Sequence, residues 1–169
     1  YLIWKMQGGT AYNMPQGMTV EGAFCPQQFE QAFKQVVSRH EILRTRFLMD
    51  KEDGYQIVEE AVKTDYTYIE DRQTEYQQLF DEFVKPFDLE QGNLVRCMVV
   101  KRKEEQYFLF LDMHHIVGDG ISMGIFLNEL KALYEKKTVP EVTKQYKDYS
   151  EWMQMRDLSN QKNYWKSCF

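Results

Sequence analysis

A layered α/β domain with a mixed sheet packed by helices is what these 169 residues predict. Three observations carry that expectation. Apolar residues recur at helical spacing in separate stretches, extended apolar runs lie between them, and turn residues punctuate the boundaries. At about 150 residues per domain the length allows one domain. Hydrophobic residues make up 43% and aromatics 15%, enough apolar material for a sizeable core, which excludes disorder as the main state.

Each element has a local reason. Met18–Glu21 reads as a short strand after the turn-like Gly8-Gly9 and the 13–17 stretch. Pro26 opens a helix, because proline suits the first helical position. Its apolar face is Phe29, Ala32, Phe33, Val36 and Val37, and it should end near His40-Glu41. Thr45–Met49 and Tyr55–Val58 flank Lys51-Glu52-Asp53-Gly54 and read as a hairpin. Tyr66–Ile69 alternates like a strand. Tyr76, Leu79, Phe80 and Phe83 mark a second helix, stopped by Pro86. Leu94–Val100 and Gln106–Met113 read as strands around the charged turn Lys101–Glu105. Tyr107–Leu111 is apolar on both faces, as a central strand should be. Ser122 is the expected N-cap of a third helix, with Ile125, Phe126, Leu130 and Leu133 on its buried side. Further helices should carry Trp152 and Trp165, and Phe126, Tyr134 and Trp152 are expected in the core.

Charge and cysteines narrow the function classes. Lys plus Arg is 21 against 26 Asp plus Glu, a net charge of −5. An acidic chain without a basic block is a poor partner for nucleic acid. Its scattered charges suggest no membrane-surface site, and no apolar run approaches the ~18 residues of a membrane-spanning helix. Cys25, Cys97 and Cys168 are odd in number and far apart. They read as reduced, mostly buried thiols of a cytoplasmic protein. The chain starts at Tyr1, with no signal-peptide pattern, and reads as a piece of a longer polypeptide.

The chemistry concentrates in residues 113–122, Met-His-His-Ile-Val-Gly-Asp-Gly-Ile-Ser. This segment lies between the apolar strand and the third helix, where α/β folds often place reactive groups. Gly118 and Gly120 flank Asp119 and allow a tight or positive-φ turn. Three readings are open. The histidines can be satisfied polar groups at a strand end. His114, His115 and Asp119 can chelate a metal, although adjacent strand residues point to opposite faces. Or one histidine can act as a general base, with its neighbour packed inward and Asp119 orienting or pairing.

Several segments then converge on one family. His114 to Gly120 resembles the HHxxxDG motif of the condensation-domain superfamily of nonribosomal peptide synthetases, which also holds chloramphenicol acetyltransferase and related acyltransferases. Arg39 to Phe47 is similar to RHExLRTxF. Ala11-Tyr12-Asn13-Met14-Pro15 resembles AYNxP. Pro86 to Arg96 resembles PFDLxxGPLxR, with Asn93 in place of the usual proline. Tyr146 to Trp152 fits YxDYxxW, followed by Tyr164-Trp165. Leu2-Ile3-Trp4 resembles the tail of QxRLWxL.

The resemblance implies a chloramphenicol-acetyltransferase-like lobe. Residues 1–169 would be the N-terminal lobe of a condensation domain, with the second lobe absent from the chain. It implies peptide-bond formation between donor and acceptor thioesters held on the phosphopantetheine arms of two peptidyl carrier proteins, next to an adenylation domain. No metal or dissociable cofactor is implied for this lobe. His115 is the implied catalytic residue, as general base or positioning group, with His114, Asp119, Gly120 and Arg44 in support. Asp119 is expected to pair with Arg44 in a buried ion pair, while Gly120 and Ser122 shape the turn and cap the helix. Two other readings stand beside this one. One is a coenzyme-A-dependent acyltransferase of the same fold, disfavoured by the long segment after Gly120. The other is a non-catalytic module that docks carrier proteins.

Overall fold

The computed structural model describes Lys5, residues 8–50 and residues 53–169. Leu2-Ile3-Trp4 and the hairpin residues Lys51-Glu52 lie outside the described residues. Among the described residues six strands are formed: β1 (Gln16–Glu21), β2 (Thr45–Asp50), β3 (Asp53–Val58), β4 (Asp65–Glu70), β5 (Val95–Lys103) and β6 (Gln106–Met113). The α-helices α1 (Pro26–Arg39), α2 (Tyr76–Phe83), α3 (Gly120–Tyr134), α4 (Tyr146–Met155) and α5 (Ser159–Cys168) accompany them. A 3₁₀ turn, Glu41–Arg44, links α1 to β2.

The main sheet has the order β1-β6-β5-β4. β6 pairs antiparallel with β1 and β5, and β4 pairs parallel with β5, so the sheet is mixed. β6 lies inside the sheet, which explains why its run from Tyr107 to Leu111 is apolar on both faces. β2 and β3 form a separate antiparallel hairpin. The β5–β6 turn is shorter than the charge pattern suggests: β5 extends to Lys103 with a register shift between Lys101 and Lys103.

Strand alternation distributes the core over both sheet faces. Tyr107, Leu109, Leu111 and Met113 join Val95, Cys97 and Val99 beneath α1 and α3. The α1 residues there are Phe29, Ala32, Phe33, Val36 and Val37, all buried, as their spacing requires. Phe33 meets Phe126 of α3 edge-on, with ring centroids 6.1 Å apart. On the opposite face Phe110 and Val100 pack with Leu79 and Phe83 of α2. α2 ends at Phe83, capped by the Val84 N–H on Phe80 O, just before Pro86.

Several expectations are corrected. α3 buries Met123, Phe126 and Leu130, while Ile125 is half exposed. Tyr134 is partly buried against the main core, but Trp152 is 52% exposed, and neither α4 nor α5 buries any residue. Among the described residues α4 touches the Glu41–Arg44 turn, and Tyr149, Trp152, Tyr164 and Trp165 stay more than half exposed. Only Cys97 of the three thiols is buried, because it alone sits on a central strand; Cys25 and Cys168 are exposed.

Candidate active site

The site is built where β6 runs out. His114 still pairs with Asn13 as an isolated antiparallel bridge, its N–H donating to Leu94 O at 2.9 Å. The chain then turns, with the Val117 N–H donating back to His114 O at 3.1 Å. Strand alternation gives the two histidines different surroundings. His114 is 4% exposed. Its ring lies 6.1 Å from both the Tyr12 and Phe87 rings, centroid to centroid. The Ile116 N–H donates to His114 Nδ1 at 3.0 Å. Nδ1 therefore accepts, which leaves the proton of the neutral ring on Nε2. Burial lowers the His114 pKa to about 4, which fits a neutral ring.

His115 is exposed, and its imidazole makes no hydrogen bond among the described residues. Its backbone is held instead, the N–H donating to Tyr12 O at 2.8 Å. An exposed imidazole with both nitrogens available is chemically free to accept a proton or to orient an amine.

Asp119 serves the helix that follows. It is the N-cap of α3, accepting the Ser122 N–H at 2.8 Å and the Ser122 hydroxyl at 2.7 Å, both on Oδ1. Those bonds, the backbone one first, hold its carboxyl below the ordinary carboxylate value. The cap is thus Asp119, with Ser122 as its donor at the third helical position. The expected ion pair with Arg44 is not formed. Arg44 closes the 3₁₀ turn, donating to Glu59 O and lying 3.6 Å from Glu41 Oε1. Asp119 is exposed, and a capping carboxylate in water needs no buried cation. Arg39 and His40 likewise engage Glu129 of α3, at 3.1 and 2.8 Å.

The two glycines differ. Neither Gly118 nor Gly120 has positive φ. A Cβ on Gly118 would lie 2.7 Å from Met113 Sδ and 3.2 Å from Ser122 Cβ, so the turn crosses the strand end too closely for a side chain. A Cβ on Gly120 would meet open space. The packing of the turn therefore favours glycine at 118, where a methyl would displace the Met113 side chain, and leaves 120 free.

Sequence reasoning missed a buried polar cluster beside this turn. Asp112 is fully buried and Arg96 is 8% exposed. Arg96 Nε lies 3.5 Å from Asp112 Oδ2, which also accepts from Asn13 Nδ2 at 2.6 Å. Burial pushes the Asp112 carboxyl up, against the opposing influence of Asn13 and Arg96. The available signal was Asp112 itself, one charged residue in an otherwise apolar central strand. Among the described residues no cluster of three or more His, Cys, Asp or Glu side chains could hold a metal ion. No helix among them is long and apolar enough to cross a membrane.

A mixed sheet with helices on both faces, ending in a His-His turn that runs into a capped helix, defines the condensation-domain fold. Comparison with known proteins agrees. The family model for the Condensation domain matches residues 1–169. The chain is 43% identical over 174 residues to bacitracin synthase 3 of Bacillus licheniformis, covering 100% of this chain and 3% of that protein. It is 40% identical over 174 residues to gramicidin S synthase 2 of Aneurinibacillus migulanus, covering 100% of this chain and 4% of that protein. Among solved structures, the starter condensation domain of rhizomide synthetase aligns with a TM-score of 0.81 at 21% identity, covering 99% of this chain and 45% of that one. The X-domain complexed with OxyB from teicoplanin biosynthesis aligns with a TM-score of 0.77 at 25% identity, covering 85% of this chain and 33% of that one. The chain belongs to the condensation-domain family of nonribosomal peptide synthetases. It spans only a few per cent of the length of the synthases it matches.

Proposed function

We propose that the chain is the N-terminal lobe of a cytoplasmic condensation domain, and that His115 serves its peptide-bond-forming reaction. In that reaction the α-amine of an acceptor aminoacyl thioester attacks the carbonyl of a donor acyl or peptidyl thioester. The carbon–nitrogen bond forms, the donor carbon–sulfur bond breaks, and the donor's phosphopantetheine thiol leaves. The amine proton passes to His115 and on to the leaving sulfur, or His115 orients the amine while the proton reaches the sulfur through solvent. Donor and acceptor arrive on two carrier proteins, and the acceptor stays on its own arm, lengthened by the donor group.

One observation carries this reading. Of two adjacent histidines, His114 is buried and committed to the turn, while His115 stands exposed with a free imidazole on a fixed backbone. Asp119 caps α3 and Gly118 lets the turn pass Met113, so these two shape the chain that follows that histidine. The second lobe and the neighbouring adenylation domain are the further partners. Tyr146, Tyr149 and Trp152, each about half exposed on α4, supply an apolar face for such a neighbour.

The test is His115→Ala in the complete domain, with both carrier proteins loaded. Peptide formation should fall by at least about 10²-fold, the usual contribution of a positioned acid–base group, with the melting temperature unchanged. Turnover retained by the folded variant would overturn the assignment.

A further inference from the structure

The buried cluster beside the histidine turn has no part in the reaction as written above, yet it connects to His115 through the backbone of residues 12–14. Arg96 and Asp112 face each other across the β5–β6 ladder. The Arg96 guanidinium carbon lies 3.6 Å from the centroid of the Phe87 ring, and Nη2 donates to Lys85 O at 2.6 Å. Asn13 Nδ2 donates to Asp112 Oδ2 at 2.6 Å and to the same Lys85 O at 2.9 Å. Asn13 is thereby gripped at its carboxamide from two sides. Its backbone neighbours complete the connection. Met14 N–H donates to Met113 O, and His115 N–H donates to Tyr12 O, each at 2.8 Å. Residues 12–14 thus run antiparallel to residues 113–115, beyond the end of β1.

We propose that Arg96, Asp112 and Asn13 form a clamp that positions His115 through the backbone of residues 12–14. The physical reason is fraying. The last rung of a ladder, between two irregular segments, opens readily unless something holds it. The His115 imidazole has no side-chain partner, so its position depends on that rung. A fully buried carboxylate is costly unless it is paired and hydrogen-bonded. Here Arg96 and Asn13 both hold the carboxylate and share Lys85 O, and Asn13 carries the contact on to the backbone beside His115. These three are positioning residues, and the clamp rests on the reading of His115 given above.

The experiment uses the complete condensation domain with both loaded carriers. Asn13→Ala is the main variant, because Asn13 is only half buried and the fold should survive; Asp112→Ala probes the buried end. For Asn13→Ala, kcat should fall about 10- to 100-fold, the scale of a misplacement near 1 Å. KM for each carrier should stay unchanged. Hydrogen exchange at the His115 amide should accelerate while the Val36 and Leu130 amides keep their protection. In a His115→Ala background, Asn13→Ala should cost no further activity. Wild-type kcat together with wild-type His115 exchange in Asn13→Ala would overturn the clamp. So would an equal loss of activity with or without His115. If Asp112→Ala fails to fold, Asn13→Ala decides. If the wild type and His115→Ala form peptide equally well, the catalytic reading fails. The His115 exchange rate then decides the clamp alone, acceleration supporting it and no change overturning it.

Discussion

His114 and His115 are chemically identical side chains one residue apart, and strand alternation sends one into the protein and the other into solvent. That separation has a pH consequence. The buried His114 titrates near 4 instead of its ordinary 6.5. The folded state therefore favours the neutral ring, and the unfolded chain binds the extra proton between those values. The stability contributed by the neutral ring is complete above pH 6.5 and is lost as pH falls toward 4, by about 3 kcal/mol in all. Urea unfolding of the complete domain should show this decline, and His114→Phe should remove it relative to the wild type. An equal slope in both proteins would contradict the burial argument. Asp119 makes a different prediction. It caps α3, and Arg44 ties the 3₁₀ turn to β3. Asp119→Ala should lower the melting temperature, whereas Asp119→Asn should retain most of the cap. Its carboxyl is held low, so its stabilisation is present above the ordinary carboxylate value and disappears as pH falls through the lowered one. The melting-point losses of Asp119→Ala and Arg44→Met should add in the double variant, since the two residues share no partner.

Between elements, backbone conformation decides what a position tolerates. The 86–96 segment carries the chain from α2 into β5, and its turn places Gly92 at φ 79° and Asn93 at φ 53°. Asparagine tolerates this left-handed region, but proline is fixed near φ −65° and cannot enter it. The departure from the family's PFDLxxGPLxR pattern therefore has a local structural counterpart. Asn93→Pro should destabilise the domain by about 1–3 kcal/mol, and Asn93→Gly should be close to neutral. Chemical unfolding of the two variants measures both; a stable Asn93→Pro protein would show that the turn can take another form. The same reasoning separates the glycines of the histidine motif. Gly118→Ala should clash with Met113, and Gly120→Ala should leave stability intact.

For the whole molecule, the chain matches 45% of a solved condensation domain, and α4 and α5 bury no residue within it. His115 is exposed to solvent. Positioning two tethered reactants supplies much of the rate in such a reaction, with effective molarities of ~10⁵ M or more. Residues 1–169 alone should therefore show no measurable condensation, even with both carriers loaded. Adding the second lobe as a separate polypeptide should restore activity that depends on His115. Turnover by residues 1–169 alone, abolished by His115→Ala, would show that one lobe suffices.

The sequence by itself determined what depends on neighbours a few residues apart. The α1 face from Phe29 to Val37, the apolar run Tyr107–Leu111 of β6 and the opposite directions of His114 and His115 follow from periods of 3.6 and 2, and the helix stop before Pro86 from proline itself. The family was legible in the motifs, whose residues stand at family spacing along the chain. Only the tertiary structure decided which charges meet. Asn13 and Asp112 are 99 residues apart, and no local pattern selects Arg96 over Arg44 as the buried cation beside the histidine turn. Sheet order makes that choice, by bringing β5 and the end of β1 to the two sides of β6. Tertiary structure likewise left Trp152 exposed, whereas the Asp119 cap is a local bond to a residue three positions on. A side chain's periodicity states which way it points, while the fold decides what stands opposite it.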